Sequence, residues 1–123
     1  MPASFQAAAV AAQGDHTIRT TVVDVARKLD WPHPFTARVL RTRFTMEWHG
    51  REEALAEPAV IEREMERYFE AARCGDVDNT GVFVGEAVGL IKDIRPADDI
   101  VRQIVREAED LLRNKAPSVL TSP

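Results

Sequence analysis

Apolar residues recur along this 123-residue chain with two different spacings, and the spacings predict its elements. Residues 2–13 are alanine-rich and predict a helix, with Ser4 as a cap and Gly14 as its end. Residues 17–23, TIRTTVV, are rich in β-branched side chains and predict a short strand, and residues 24–29 begin a helical turn. The DWPHP stretch at 30–34 is rigid punctuation, with Trp31 as a packing anchor. In residues 35–49, Phe35, Val39, Leu40, Phe44 and Trp48 fall at helical spacing and predict a helix that Gly50 terminates.

The next helix is predicted over residues 57–74. Pro58 suits its first turn, Ile61, Met65, Tyr68, Phe69 and Ala72 form its apolar stripe, and Gly75 suits its left-handed end. Residues 75–80, GDVDNT, read as turn chemistry, because the glycine and distal glutamate of a calcium loop are missing. A last amphipathic helix starts at Pro96. Ala97, Ile100, Val101, Ile104, Val105, Ala108, Leu111 and Leu112 give it a broad apolar face that needs a partner surface. The tail, residues 116–123, is expected to be flexible, leaving residues 1–115 as one helical region.

Between these helices stand three glycines four residues apart, Gly81, Gly85 and Gly89. Over a helical stretch at 81–91 they would share one face and admit another backbone or a flat ring. Close packing and a ligand-facing role are both open readings of that face. The membrane-dimer reading of the spacing fails, because the apolar run is short and Glu86 interrupts it.

Composition narrows the function classes. Hydrophobic residues make up 45% and charged residues 29%, and the formal net charge is -4. An acidic balance speaks against nucleic acid or an anionic membrane as partner. No apolar run reaches the ~20 residues of a membrane span. One cysteine, Cys74, excludes an internal disulfide and makes a reducing, cytoplasmic setting the expectation. Cys74 has no recognisable activating base, and no serine sits in a nucleophile elbow. The histidines, His16, His33 and His49, show no metal-ligand spacing, and the one His49/Glu52 pair is too little for a zinc site. No catalytic and no metal-ligating residue is assigned. Arg38, Arg41 and Arg43 read either as a solvated basic flank or as a phosphate contact.

The segment VGEAVGLIKDIRPADDIVRQIVREAEDLL resembles the C-terminal end of nitronate monooxygenases, once called 2-nitropropane dioxygenases. TIRTTVVDVARKLDWPHPFTARVLRTRFTMEWHGREEAL resembles the segment that follows the last barrel strand in that family. The ordered combination of WP, RVLR, WHGRE, GLIKDIRPA and EAE carries the likeness.

The resemblance implies a flavoprotein built on a TIM barrel that binds FMN and oxidises alkyl nitronates with dioxygen. It implies that this chain corresponds to the helical insertion and closing helices, with the barrel itself absent. The expected fold class is therefore mainly α with a short extended or β segment. Gly85, Gly89 and His49 are the residues expected to wall the cofactor, and Glu86 stands where many relatives carry glutamine. The expected partner is a barrel-containing chain or a second copy. The alternative is a non-catalytic helical module that forms homo- or hetero-oligomers through the last helix.

Overall fold

The computed structural model describes residues 2–115. The expected flexible tail at 116–123 lies outside them. The chain divides into two compact units, Met1–Lys92 and Asp93–Pro123.

The first unit is a small, mainly helical body around one antiparallel pair of strands. Helix α1 (Ala3–Ala11) opens at Pro2 rather than at a serine cap. Ser4 instead donates its hydroxyl to the Gly75 carbonyl at 2.7 Å. After a 3₁₀ turn at Gly14–His16 comes β1 (Thr17–Thr20), then α2 (Val22–Ala26), which ends beside Lys28 at φ 53°. Strand β1 is thus shorter than the apolar pattern predicts, and Val22 and Val23 belong to a helix.

Residues 35–49 do not form one helix. They split into β2 (Ala37–Leu40) and α3 (Arg43–Trp48). The strands β1 and β2 pair in register from Thr17↔Leu40 to Thr20↔Ala37. Thr42 makes the break: its Oγ1 accepts the Thr45 N–H, and the Thr45 Oγ1 accepts the Thr42 N–H. This reciprocal cap starts α3 abruptly. Val39 and Leu40, neighbours on a strand, point to opposite faces and enter two different apolar clusters.

Helices α4 (Glu52–Leu55) and α5 (Pro58–Cys74) follow. Helix α5 matches its prediction, with Pro58 in its first turn and Gly75 at φ 76° closing it. It buries Ile61, Tyr68 and Ala71, and also Glu64, which its two neighbours on the helix, Arg63 and Arg67, hold at 3.0 and 3.1 Å. Phe69 stays exposed.

The glycine stretch is not helical either. Residues 82–84 run extended along the free edge of β2. The Leu40 N–H donates to the Val82 carbonyl at 2.9 Å, and the Val84 N–H donates to the Arg38 carbonyl at 3.2 Å. A bridge joins Val39 to Phe83. A 3₁₀ turn at Glu86–Leu90 completes the segment. The three glycines therefore share no helical face.

The strand pair stands between two cores. Ile18, Val22, Val23, Val39, Phe44 and Tyr68 belong to the larger one. Phe5, Ala12, Leu40, Val82 and Val88 form the smaller one. Phe44 and Tyr68 meet with ring centroids 5.4 Å apart.

The second unit carries α6 (Ala97–Asp110) and a π-helical turn at Leu111–Lys115. Asp98 and Asp99 lie in its first turn, where the helix dipole favours them. Helix α6 is strongly two-faced, yet none of its residues is buried.

Candidate functional site

The residues expected to face a cofactor lie in two places. Gly85 precedes the Glu86–Leu90 turn and Gly89 lies within it. Gly85 is exposed, and a Cβ added there would meet nothing within 4 Å. Gly89 is closely packed: a Cβ would come within 3.0 Å of Gln13 Oε1 and 3.3 Å of the Gly14 N–H nitrogen. Gly81 is tighter still, with Val23 Cγ1 2.6 Å from the added atom. Internal packing thus accounts for Gly81 and Gly89, and open space remains only over Gly85.

Glu86 points its carboxylate at Arg38, with Oε2 3.4 Å from the guanidinium. Arg38 also donates to Thr17 Oγ1 at 2.8 Å. The Glu86 carboxylate is therefore charge-compensated within the chain.

His49 sits at the opposite end of β1. Its Nδ1 lies 3.3 Å from Thr20 Oγ1 and 3.7 Å from Glu52 Oε1. Gly89 packs just before Thr17 and His49 packs at Thr20, so a four-residue strand, roughly 10 Å, separates them. The structure brings Gly85 and Gly89 together on one turn but does not bring His49 to them.

Of the three arginines of the central segment, each finds a protein partner. Arg41 donates to the Asp15 carbonyl at 3.3 Å, and Arg43 donates to Asn79 Oδ1 at 2.9 Å. Asn79 in turn anchors Arg67 at 2.7 Å and the GDVDNT turn, where Asp76 accepts from the Asp78 N–H.

A cavity of about 340 Å³ opens on the other side of the third extended segment. Asp24 and Arg27 of α2 line it with Trp31, Phe35, Thr36, Ala37 and Phe83. Trp31, Phe35 and Phe83 are 57%, 61% and 47% exposed, so their rings are available at its mouth. Asp24 is 4% exposed. Burial pushes its carboxyl above the usual carboxylate range, and the nearby Arg27 charge pulls it partly back. Arg27 lies over the Phe83 ring, 5.5 Å from its centroid. Asp24 and Phe83 carry no site signal in the sequence, because α2 is too short to show a period and Phe83 sits in a stretch with a helical glycine spacing. The signal that was present is the aromatic cluster Trp31/Phe35 around two prolines.

Among the described residues no group of His, Cys, Asp and Glu is arranged to hold a metal ion, and no helix is long and apolar enough to cross a membrane.

No family profile matches the chain. A stretch of 53 residues is 44% identical to a nitronate monooxygenase from Neurospora crassa, covering 43% of this chain and 14% of that protein. The fold matches that of FabK from Thermotoga maritima with a TM-score of 0.63 at 24% identity, over 89% of this chain and 32% of that one. The chain thus spans about a third or less of the length of the proteins it matches. The sequence likeness bears out the reading from the motifs, that this chain is similar to a part of the nitronate monooxygenase-like proteins, and the fold likeness shows the fold alone.

Proposed function

We propose that this chain forms the helical part of an FMN-dependent oxidoreductase of the nitronate monooxygenase kind, working with a TIM-barrel half on alkyl nitronates and dioxygen. The observation that carries the reading is the 44% identity over 53 residues to the Neurospora crassa nitronate monooxygenase. The fold likeness to FabK over 89% of this chain is compatible with that architecture.

The residues of this chain fit the rim of a flavin better than its phosphate. Gly85 leaves room for a flat ring to approach the backbone. Arg38, the guanidinium beside it, is already committed to Thr17 and Glu86, which leaves no free cradle for a phosphate there. Bound FMN would supply the redox chemistry. What this chain contributes is a fixed wall: the packing of Gly89 on Gln13 and Gly14 sets the turn, and pairing of residues 82–84 with β2 anchors it. A base acting on a carbon acid and the phosphate donors belong to the barrel half.

The test is co-expression with a barrel half made from the Neurospora crassa enzyme. Flavin absorbance in the purified pair and nitronate-dependent oxygen uptake support the role. A pair that forms and carries neither overturns it.

A second reading rests on α6, where Val101, Ile104 and Val105 are 59%, 60% and 51% exposed. An apolar face of this kind suits a module that associates with another copy or another protein.

A further inference from the structure

From the cavity between α2 and the Trp31–Phe35 corner we infer a binding site for a flat heteroaromatic ring whose edge carries N–H donors beside a carbonyl, as a guanine does. The site is separate from the cofactor wall at Gly85 and does not depend on it.

The first observation is a pair of opposite charges that lie near each other without a hydrogen bond between them. Asp24 and Arg27 both line the cavity. Asp24 makes no side-chain hydrogen bond among the described residues, and neither does Arg27. They form no ion pair with each other within 4 Å. Asp24 is a 4%-exposed residue, and the nearby Arg27 charge offsets its burial only in part, so a ligand that donates to its carboxyl gains more than it would at the surface. Arg27 offers donors beside an acceptor, so the complementary edge has donors for Asp24 and a carbonyl for Arg27.

The second observation is the wall. Trp31, Phe35 and Phe83 present rings at the mouth, which suits stacking on a planar ligand. Arg27 already lies over Phe83, so its planar guanidinium is oriented rather than free. The third is size. At about 340 Å³ the cavity lies at the small end of ligand pockets, suited to one bicyclic ring and not to a whole dinucleotide.

Two probes share everything but the ring edge. GMP presents N–H donors beside a carbonyl, whereas AMP presents a ring acceptor beside an amine. Titration of the full chain is followed by the indole N–H signals in ¹⁵N-resolved NMR. The exposed Trp31 reports on the cavity, and the buried Trp48 reports on the fold. The expected result is a saturable shift of Trp31 with GMP, at least tenfold weaker with AMP, and an unmoved Trp48. Asp24→Asn, which exchanges half of the acceptor for a donor, is expected to weaken GMP tenfold or more while leaving the Trp48 signal in place. Phe83→Ala weakens both probes. Equal binding of GMP and AMP, unchanged GMP binding by Asp24→Asn, or no Trp31 shift with either probe at millimolar concentration overturns the assignment.

Discussion

The Val82 carbonyl accepts the Leu40 N–H at 2.9 Å, and this one bond decides what the glycine stretch is. It fastens residues 82–84 to the strand pair as a third extended segment. Gly81 is then pinned where the segment leaves α5's side of the core, with Val23 and Tyr68 against it. Gly85 falls where the segment leaves the sheet, in the open.

The glycines therefore separate by substitution. Gly81→Ala forces its Cβ to within 2.6 Å of Val23 Cγ1 and 3.0 Å of the Tyr68 hydroxyl. Overpacking of this kind costs about 1–3 kcal/mol. Gly85→Ala meets nothing and keeps an ordinary φ of -88°, so it is expected to stay within ~0.5 kcal/mol of the parent. Urea unfolding followed by far-UV dichroism measures both. Equal effects would contradict the extended arrangement and favour a shared helical face.

The difference between what the sequence shows and what the chain forms has one physical source. Helix α5 is legible because its stripe, its first-turn proline and its closing glycine are all local. Strand β2 is not, because its partner β1 is about twenty residues away and its two buried apolar residues serve two cores. Phe35, Val39, Leu40, Phe44 and Trp48 satisfy helical spacing by coincidence, and only non-local pairing overrides it. Residues 82–84 carry a strand signature, VFV between glycines, that the four-residue glycine spacing masks. At the candidate site, Gly85 and Gly89 were visible as glycines, but their different surroundings depend on Gln13 and Gly14, far away in sequence. Asp24 carried no sequence signal, since a lone acid on a five-residue helix is ordinary until its burial is seen.

Arg67 is expected to matter more to stability than its neighbour Arg63. It reaches the 4%-exposed Glu64 side chain at 3.1 Å, Asn79 at 2.7 Å and Glu47 at 3.4 Å, and it lies over the Phe44 ring. Removing it leaves Glu64 short of one partner in a buried setting. Arg67→Ala is expected to cost about 1–3 kcal/mol. Arg63, whose side chain is 72% exposed, is expected to cost under ~1 kcal/mol as alanine. Denaturant midpoints of the two variants rank them, and the reverse order would show that Arg63 carries the compensation of Glu64.

Asp24 has a pH signature of definite sign. Its carboxyl holds a proton more tightly in the folded chain than the ordinary value of 3.8, chiefly because it is buried. The native state then binds more protons than the unfolded state over the window that opens at 3.8, and stability from this group falls as pH rises through it. Asp24→Asn removes the buried anion. It is expected to be more stable than the parent at pH 7, with the gain shrinking as pH falls toward 3.8. Urea midpoints across that range check it. A variant less stable than the parent at pH 7 would mean that the charged carboxylate is favoured in the fold, with Arg27 outweighing burial.

Helix α6 is amphipathic along its length. Its apolar side, Ile100, Val101, Ile104 and Val105, recurs at helical spacing, while Arg102 pairs with Asp98 at 3.4 Å and Arg113 with Glu109 at 3.2 Å. Those i,i+4 pairs contribute only ~0.3–0.5 kcal/mol each, so the apolar face is the larger unspent resource of the helix. In the isolated chain it is expected to drive self-association. Light scattering at rising concentration should give a mass above that of one 13.7 kDa chain. Ile104→Asp puts a charge in the middle of the face and is expected to return the mass to the monomer value. Because Ile104 is 60% exposed, the same change should leave the unfolding midpoint of the first unit unaltered within ~0.5 kcal/mol. In the reconstituted pair with a barrel half, Ile104→Asp then distinguishes the two uses of the face. Loss of pairing places α6 against the barrel, and retained pairing with lost self-association confines it to contacts between copies.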